Sequence, residues 1–129
     1  ARALQLDFLL IDTHPGLNEE TLLSITISDV LLLILRPDRQ DFQGTAVTVD
    51  VARKLGVPTL YLMVNKVPRG VDVDDLREQM TAAYGAETAA ILPLSEEVVQ
   101  NASSGLFSLT QPDHPWSQQI RGVAERLKG

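Results

Sequence analysis

Apolar positions in this chain fall in short blocks separated by polar turns, and the blocks follow two different periods. Asp7-Phe8-Leu9-Leu10-Ile11-Asp12, Val30 to Leu35 and Thr59 to Val64 run without alternation, the pattern of strands buried on both faces. Glu87 to Leu92 is a weaker fourth strand, halted by Pro93. The intervening stretches have helical period. Asn18 can cap a short helix through about Ser28, and Asp41 can cap one to Leu55, with Gly56 as its terminator. Val73, Leu76, Met80 and Ala83 share one face of a helix that follows Asp72 and ends at Gly85. Asp74 and Asp75 lie in its first turn, where carboxylates favour the helix dipole. Ser95 opens a short helix ending near Asn101. A last helix follows Pro115, with Trp116, Ile120, Val123 and Leu127 on one side.

Strands alternating with helices at such intervals imply βαβ units, hence an α/β fold with a parallel, doubly wound sheet of about four strands. The 129 residues make one domain at most, and no repeat, low-complexity tract or linker divides them. Ligands of such sheets bind beyond the carboxyl ends of the strands, where the polar signals of this chain fall.

Composition narrows the classes. A net charge of −6 argues against nonspecific nucleic-acid binding by this segment, which would need a basic surface. The absence of cysteine excludes a disulfide framework and a thiolate metal site. The longest apolar run, Val30 to Leu35, is far too short to span a bilayer, and no membrane anchor is visible. No secretory signal heads the chain, and a cytoplasmic location fits. The chain opens on Ala1 and enters a strand almost at once, which reads as a cut through a larger protein.

Two places can carry chemistry. Asp12 ends an apolar strand and Gly16 follows four residues later. A carboxylate held there can orient Mg²⁺ or its water shell, and a glycine lets its N–H approach a phosphate closely. A strand-end aspartate with Pro15-Gly16 as ordinary turn punctuation explains the same residues. The second place is Asn65-Lys66 after the third strand. An asparagine amide can accept from adenine N6 and donate to N7. Pro68 stands where a guanine-reading aspartate would be needed, so adenine is favoured over guanine. A plain Asn-Lys turn is the alternative.

Taken together, the residues Asp7-Phe8-Leu9-Leu10-Ile11-Asp12-Thr13-His14-Pro15-Gly16 resemble the D-(apolar)₄-D-T-P-P-G segment of the MinD/ParA ATPases. Ser28 through Pro37 resembles that family's next strand, and Val64-Asn65-Lys66 falls where the family places its base-contacting residue. Ile91-Leu92-Pro93 resembles the stretch that closes over the base, and Gln100-Asn101-Ala102 onward the loop before the last helix. The resemblance implies a P-loop NTPase-like fold and an ATP-binding, ATP-hydrolysing switch with Mg²⁺ as cofactor. It implies that Asp12 acts on Mg²⁺ through water and that Gly16 senses the γ-phosphate. Asn65 would read adenine, Leu92, Pro93 and Leu94 would border the base, and residues 13 to 17 would form a switch loop. An ATP-dependent homodimer and a protein partner are further implications for the intact protein.

The chain departs from the family pattern at His14, which stands in place of a proline, and in lacking the Gly-rich phosphate loop. No Gly-x-x-x-x-Gly-Lys-Ser/Thr pattern occurs, so these residues alone are expected neither to hydrolyse ATP nor to bind it tightly. In the family the strand preceding that loop lies between those corresponding to Asp7–Asp12 and Val30–Leu35. Two apolar strand edges are therefore left to be satisfied. The competing function is a non-catalytic relative acting as an interaction module, with Gln43, Asp50, Arg53 and Lys54 as the candidate surface. A metal-cluster carrier or a synthetase of the same broad class is a third reading, and the lack of cysteine counts against the carrier.

Overall fold

The computed structural model describes residues 6–14, 16–101 and 105–128. Pro15 of the Asp12–Gly16 segment and Ala102 of the loop before the last helix lie outside them. The described elements run α1 (Glu19–Ile27), β1 (Val30–Leu35), α2 (Arg39–Lys54), β2 (Thr59–Val67), α3 (Val73–Tyr84), β3 (Glu87–Pro93), α4 (Glu96–Asn101), α5 (Phe107–Thr110) and α6 (Pro115–Lys128). The strands form one parallel sheet in the order β1-β2-β3.

Alternate side chains of the strands build two cores, one on each sheet face. Leu35, Leu62, Val64 and Ile91 pack with Val49 of α2 and with Leu76, Met80 and Tyr84 of α3. On the other face Met63, Ala90 and Leu92 pack with Val123, Trp116, Ile120 and Leu127 of α6. This two-sided cover is why the strands read as continuous apolar runs. Cover over β1 is less complete: Ile34, whose alternation puts it on the α6 face, is 62% exposed. The principal α6 packing is against β3.

Local chemistry explains the helix ends. Asn18 Oδ1 accepts from Thr21 N–H at 2.9 Å and caps α1. Asp72 accepts from the N–H groups of Asp74 and Asp75, and Gly85 closes α3 at φ 63°, a left-handed turn suited to glycine. The cap of α2 is Asp38, not the expected Asp41. Phe42 N–H already donates to the Asp38 carbonyl, so the helix begins three residues earlier. Asp41 instead occupies the first turn. Its N–H donates to Asp38 Oδ1 and its own Oδ2 accepts from Arg36 N–H, each at 2.8 Å.

The expected strand Asp7–Asp12 is the main correction. The described sheet has three strands rather than about four, and residues 7–12 form no described strand. Among the described residues they make no backbone ladder, and Phe8, Leu9 and Leu10 are 58%, 59% and 83% exposed. An apolar run forms a strand only where a neighbour pairs its N–H and C=O groups, and β1 pairs with β2 alone.

Candidate functional site

The carboxyl ends of β2 and β3 are joined by an irregularity that the sequence does not announce. Val64 pairs with Ile91 and Val67 with Pro93, so Asn65 and Lys66 together stand opposite the single residue Leu92. Two residues against one is a β-bulge, which locally re-aims a strand's side chains. Side-chain phase confirms it. Val64 and Val67, three apart, both pack in the α2/α3 core, whereas an unbroken strand would turn Val67 to the other face. The ladder resumes beyond the bulge, where Leu94 N–H donates to the Val67 carbonyl at 2.9 Å. Pro93 has no N–H to give.

The bulge brings Asn65 to the same sheet edge as Leu92, Pro93 and Leu94. Leu92 is 2% exposed and supports that edge from the α6 core, while Leu94 is 52% exposed. Asn65 is half-buried, and its Oδ1 accepts from Lys66 N–H at 2.9 Å. No described group hydrogen-bonds its Nδ2, so the amide keeps both donors and one oxygen lone pair for a ligand. Beside Leu94 lies a recess of about 270 Å³ lined by Leu94, Ser95, Glu96, Val99 and Gln100. Gln100 opens the loop stretch noted in the sequence, whereas Ser95, Glu96 and Val99 read there only as part of a short helix.

Asp12 and Gly16 lie on the chain leading to α1, and both are exposed. Gly16 has φ 94°, which explains the glycine whatever its ligand. Among the described residues no hydrogen bond or ion pair joins either residue to the Asn65 edge. No group of three or more His, Asp or Glu side chains that could hold a metal ion occurs among them. The rigid strand-end placement expected for Asp12 is thus absent, for the same reason that residues 7–12 do not pair.

A larger, shallow recess of about 520 Å³ lies between α2 and α3, lined by Arg39, Phe42, Gln43, Ala46, Ala83 and Tyr84. It contains none of the expected nucleotide-site residues. The charges of the candidate α2 surface are partly used within the fold: Asp50 pairs with Lys54 at 3.0 Å, and Arg53 donates to the Gly85 carbonyl at 2.9 Å.

The architecture has a close counterpart among solved structures. The MinD cell division protein of Aquifex aeolicus superposes with a TM-score of 0.80 at 20% identity, over 98% of this chain and 55% of that one. The fold is that of about half of MinD. Two proteins of Methanocaldococcus jannaschii, each named an uncharacterized ATP-binding protein, are similar in sequence. One is 23% identical over 124 residues, covering 95% of this chain and 47% of its own length. The other is 24% identical over 99 residues, covering 77% and 38%. The chain therefore spans about half or less of the length of the curated relatives it matches. No protein-family model matches it. No described helix is long and apolar enough to cross a membrane.

Proposed function

We propose that this chain forms the base-binding side of an adenine-nucleotide site in a MinD-like, ATP-dependent switch. The observation that carries the reading is the Asn65-Lys66 bulge, set against Leu92 at the carboxyl edge of a sheet with the MinD fold. The names of the two archaeal relatives support ATP as the nucleotide. In this reading Asn65 reads the adenine edge by paired hydrogen bonds. Pro93 and Leu94 border the base, with the buried Leu92 supporting them from the α6 core.

The donor set fits a base and only part of a phosphate site. Asn65 has uncommitted amide donors, and Leu94 offers apolar surface beside it. For Mg²⁺ the described residues offer the lone carboxylate of Asp12, which suits a cation held largely by water and phosphate oxygens. Gly16, at φ 94°, would place its N–H near the γ-phosphate, and residues 13 to 17 would be ordered by it. Phosphate binding itself is assigned to polypeptide outside these 129 residues, together with a strand between residues 7–12 and β1. The full-length protein would then be a cytoplasmic ATPase whose ATP-bound state forms a homodimer and engages a protein partner.

The test is displacement of a fluorescent ATP analogue from the full-length protein by ATP and by GTP. ATP is expected to compete at least about tenfold better, with Asn65→Ala removing most of that preference. Equal competition by the two nucleotides, or a preference unchanged in Asn65→Ala, would overturn the base assignment.

A further inference from the structure

Lys66 is, among the described residues, the only one other than glycine with a positive φ, at 56°. Lysine has neither the local side-chain hydrogen bonds by which Asn and Asp tolerate that region nor glycine's freedom from a Cβ. Its conformation is imposed by its neighbours. The pairing of Val64 with Ile91 fixes the chain before the bulge. Burial of Val67, together with its carbonyl bond to Leu94 N–H, fixes it afterwards. Two residues must fit within one register step, and the left-handed turn at Lys66 accomplishes this.

The same turn has a consequence at the preceding side chain. It presents the Lys66 N–H to Asn65 Oδ1 at 2.9 Å instead of to a strand partner. That bond occupies one lone pair of the oxygen and sets the rotation of the amide plane. Both Nδ2 hydrogens and the second lone pair remain available, the donor and acceptor pair that an adenine edge requires.

We infer that the left-handed backbone at Lys66 is the positioning element for the Asn65 amide, and that base selectivity depends on this backbone rather than on the lysine ammonium. Lys66 is thus a positioning residue that acts through Asn65. The selectivity half of the inference rests on the adenine reading above, whereas the positioning half stands on the bulge geometry alone.

Two substitutions separate backbone from charge. Lys66→Gly and Lys66→Val both delete the ammonium, but only glycine accepts a left-handed φ readily. The first readout needs no nucleotide: amide hydrogen exchange at residue 66, by NMR on the full-length protein. Exchange there should be similar in wild type and Lys66→Gly, and about fivefold to tenfold faster in Lys66→Val and Asn65→Ala, the span of one lost hydrogen bond. Exchange at Leu62 and Ile91 should not change, which separates a local effect from unfolding. The second readout is the ATP-over-GTP preference of the full-length protein. It should survive in Lys66→Gly within about threefold and fall about tenfold or more in Lys66→Val.

Slow exchange with intact preference in Lys66→Val would overturn the inference. Loss of preference in Lys66→Gly equal to that in Lys66→Val would also overturn it, by assigning the effect to the ammonium. A wild-type protein with no base preference would defeat the adenine reading and with it the selectivity half. The exchange data would then decide the positioning half by themselves.

Discussion

Truncating Leu62 and Ile34 to alanine should have sharply different costs, because the two residues sit on adjacent strands with opposite surroundings. Leu62 lies on β2, flanked by β1 and β3 and covered by α2 and α3, and it is 0% exposed. Leu62→Ala removes about 2 kcal/mol of transfer free energy, and the cavity left in a close-packed core brings the loss to about 3–4 kcal/mol. That is more than a hundredfold in the unfolding equilibrium. Ile34 lies on the edge strand and is 62% exposed, so less than half its side chain has apolar neighbours to lose. Ile34→Ala should cost less than about 1 kcal/mol. Urea unfolding of wild type and both variants, followed by circular dichroism, measures each loss as a midpoint shift at constant slope. Comparable losses would refute the reasoning, since they would require the free face of β1 to be covered. A Leu62→Ala loss below about 1 kcal/mol would equally contradict its central position.

Three smaller effects follow from single contacts. Asp41 is held below its ordinary carboxylate value of 3.8, first by the Arg36 N–H bond and further by the Arg36 guanidinium. A lowered folded-state value stabilises the protein above the unfolded value and is lost as pH falls through the folded one. Denaturant midpoints should therefore drop below about pH 3.8 by a smaller amount in Asp41→Asn than in wild type. Gly85→Ala should destabilise by about 1–2 kcal/mol in urea titration, because alanine resists the left-handed cap at φ 63°. The flexible Arg53 guanidinium, 3.2 Å from the added Cβ, can move aside. Thr88 Oγ1 is buried without a described partner, so Thr88→Val should be neutral or stabilising by up to about 1 kcal/mol in thermal melts. A loss above that would reveal a bond to the hydroxyl.

Much of the fold was readable because its signals are local. Val30–Leu35 is a strand with those boundaries, Asn18 is a cap, a helix follows Asp72 and ends at Gly85, and Trp116 packs in the α6 core. Each of these depends on residues a few positions apart or on a single helical face. What escaped depends on partners distant in sequence. Residues 7–12 have the composition of a buried strand, but composition supplies no neighbour to pair with. The sequence places the end of β2 at Val64, but it runs to Val67, because the N–H of Leu94, twenty-seven residues after Val67, donates to the Val67 carbonyl and continues the pairing. That extension is also why the Asn65 and Leu92–Leu94 motifs meet at one edge.

Other features were hidden by competing local explanations. Asp38 and Asp41 are equally good caps in isolation, and the first main-chain bond of α2 distinguishes them. His114 sits beside Pro115 in the sequence, with no partner at metal spacing. In the structure its Nδ1 accepts from Trp116 N–H, its Nε2 lies 3.4 Å from Glu97, and its ring stacks edge-on against Phe107. His114 thus joins the start of α6 to Phe107 of α5.

The central claim is that the base of an adenine nucleotide rests on the edge formed by the β2 bulge and the end of β3. The most direct measurement is photolabelling of the full-length protein with 8-azido-ATP, whose reactive group is on the base, followed by mapping of the labelled peptides. The account expects ATP-protectable label in the segments around residues 65–67 and 92–100. Protectable label confined to the Arg39–Ala46 and Ala83–Tyr84 recess, or none in this chain while the protein binds the reagent, would contradict it.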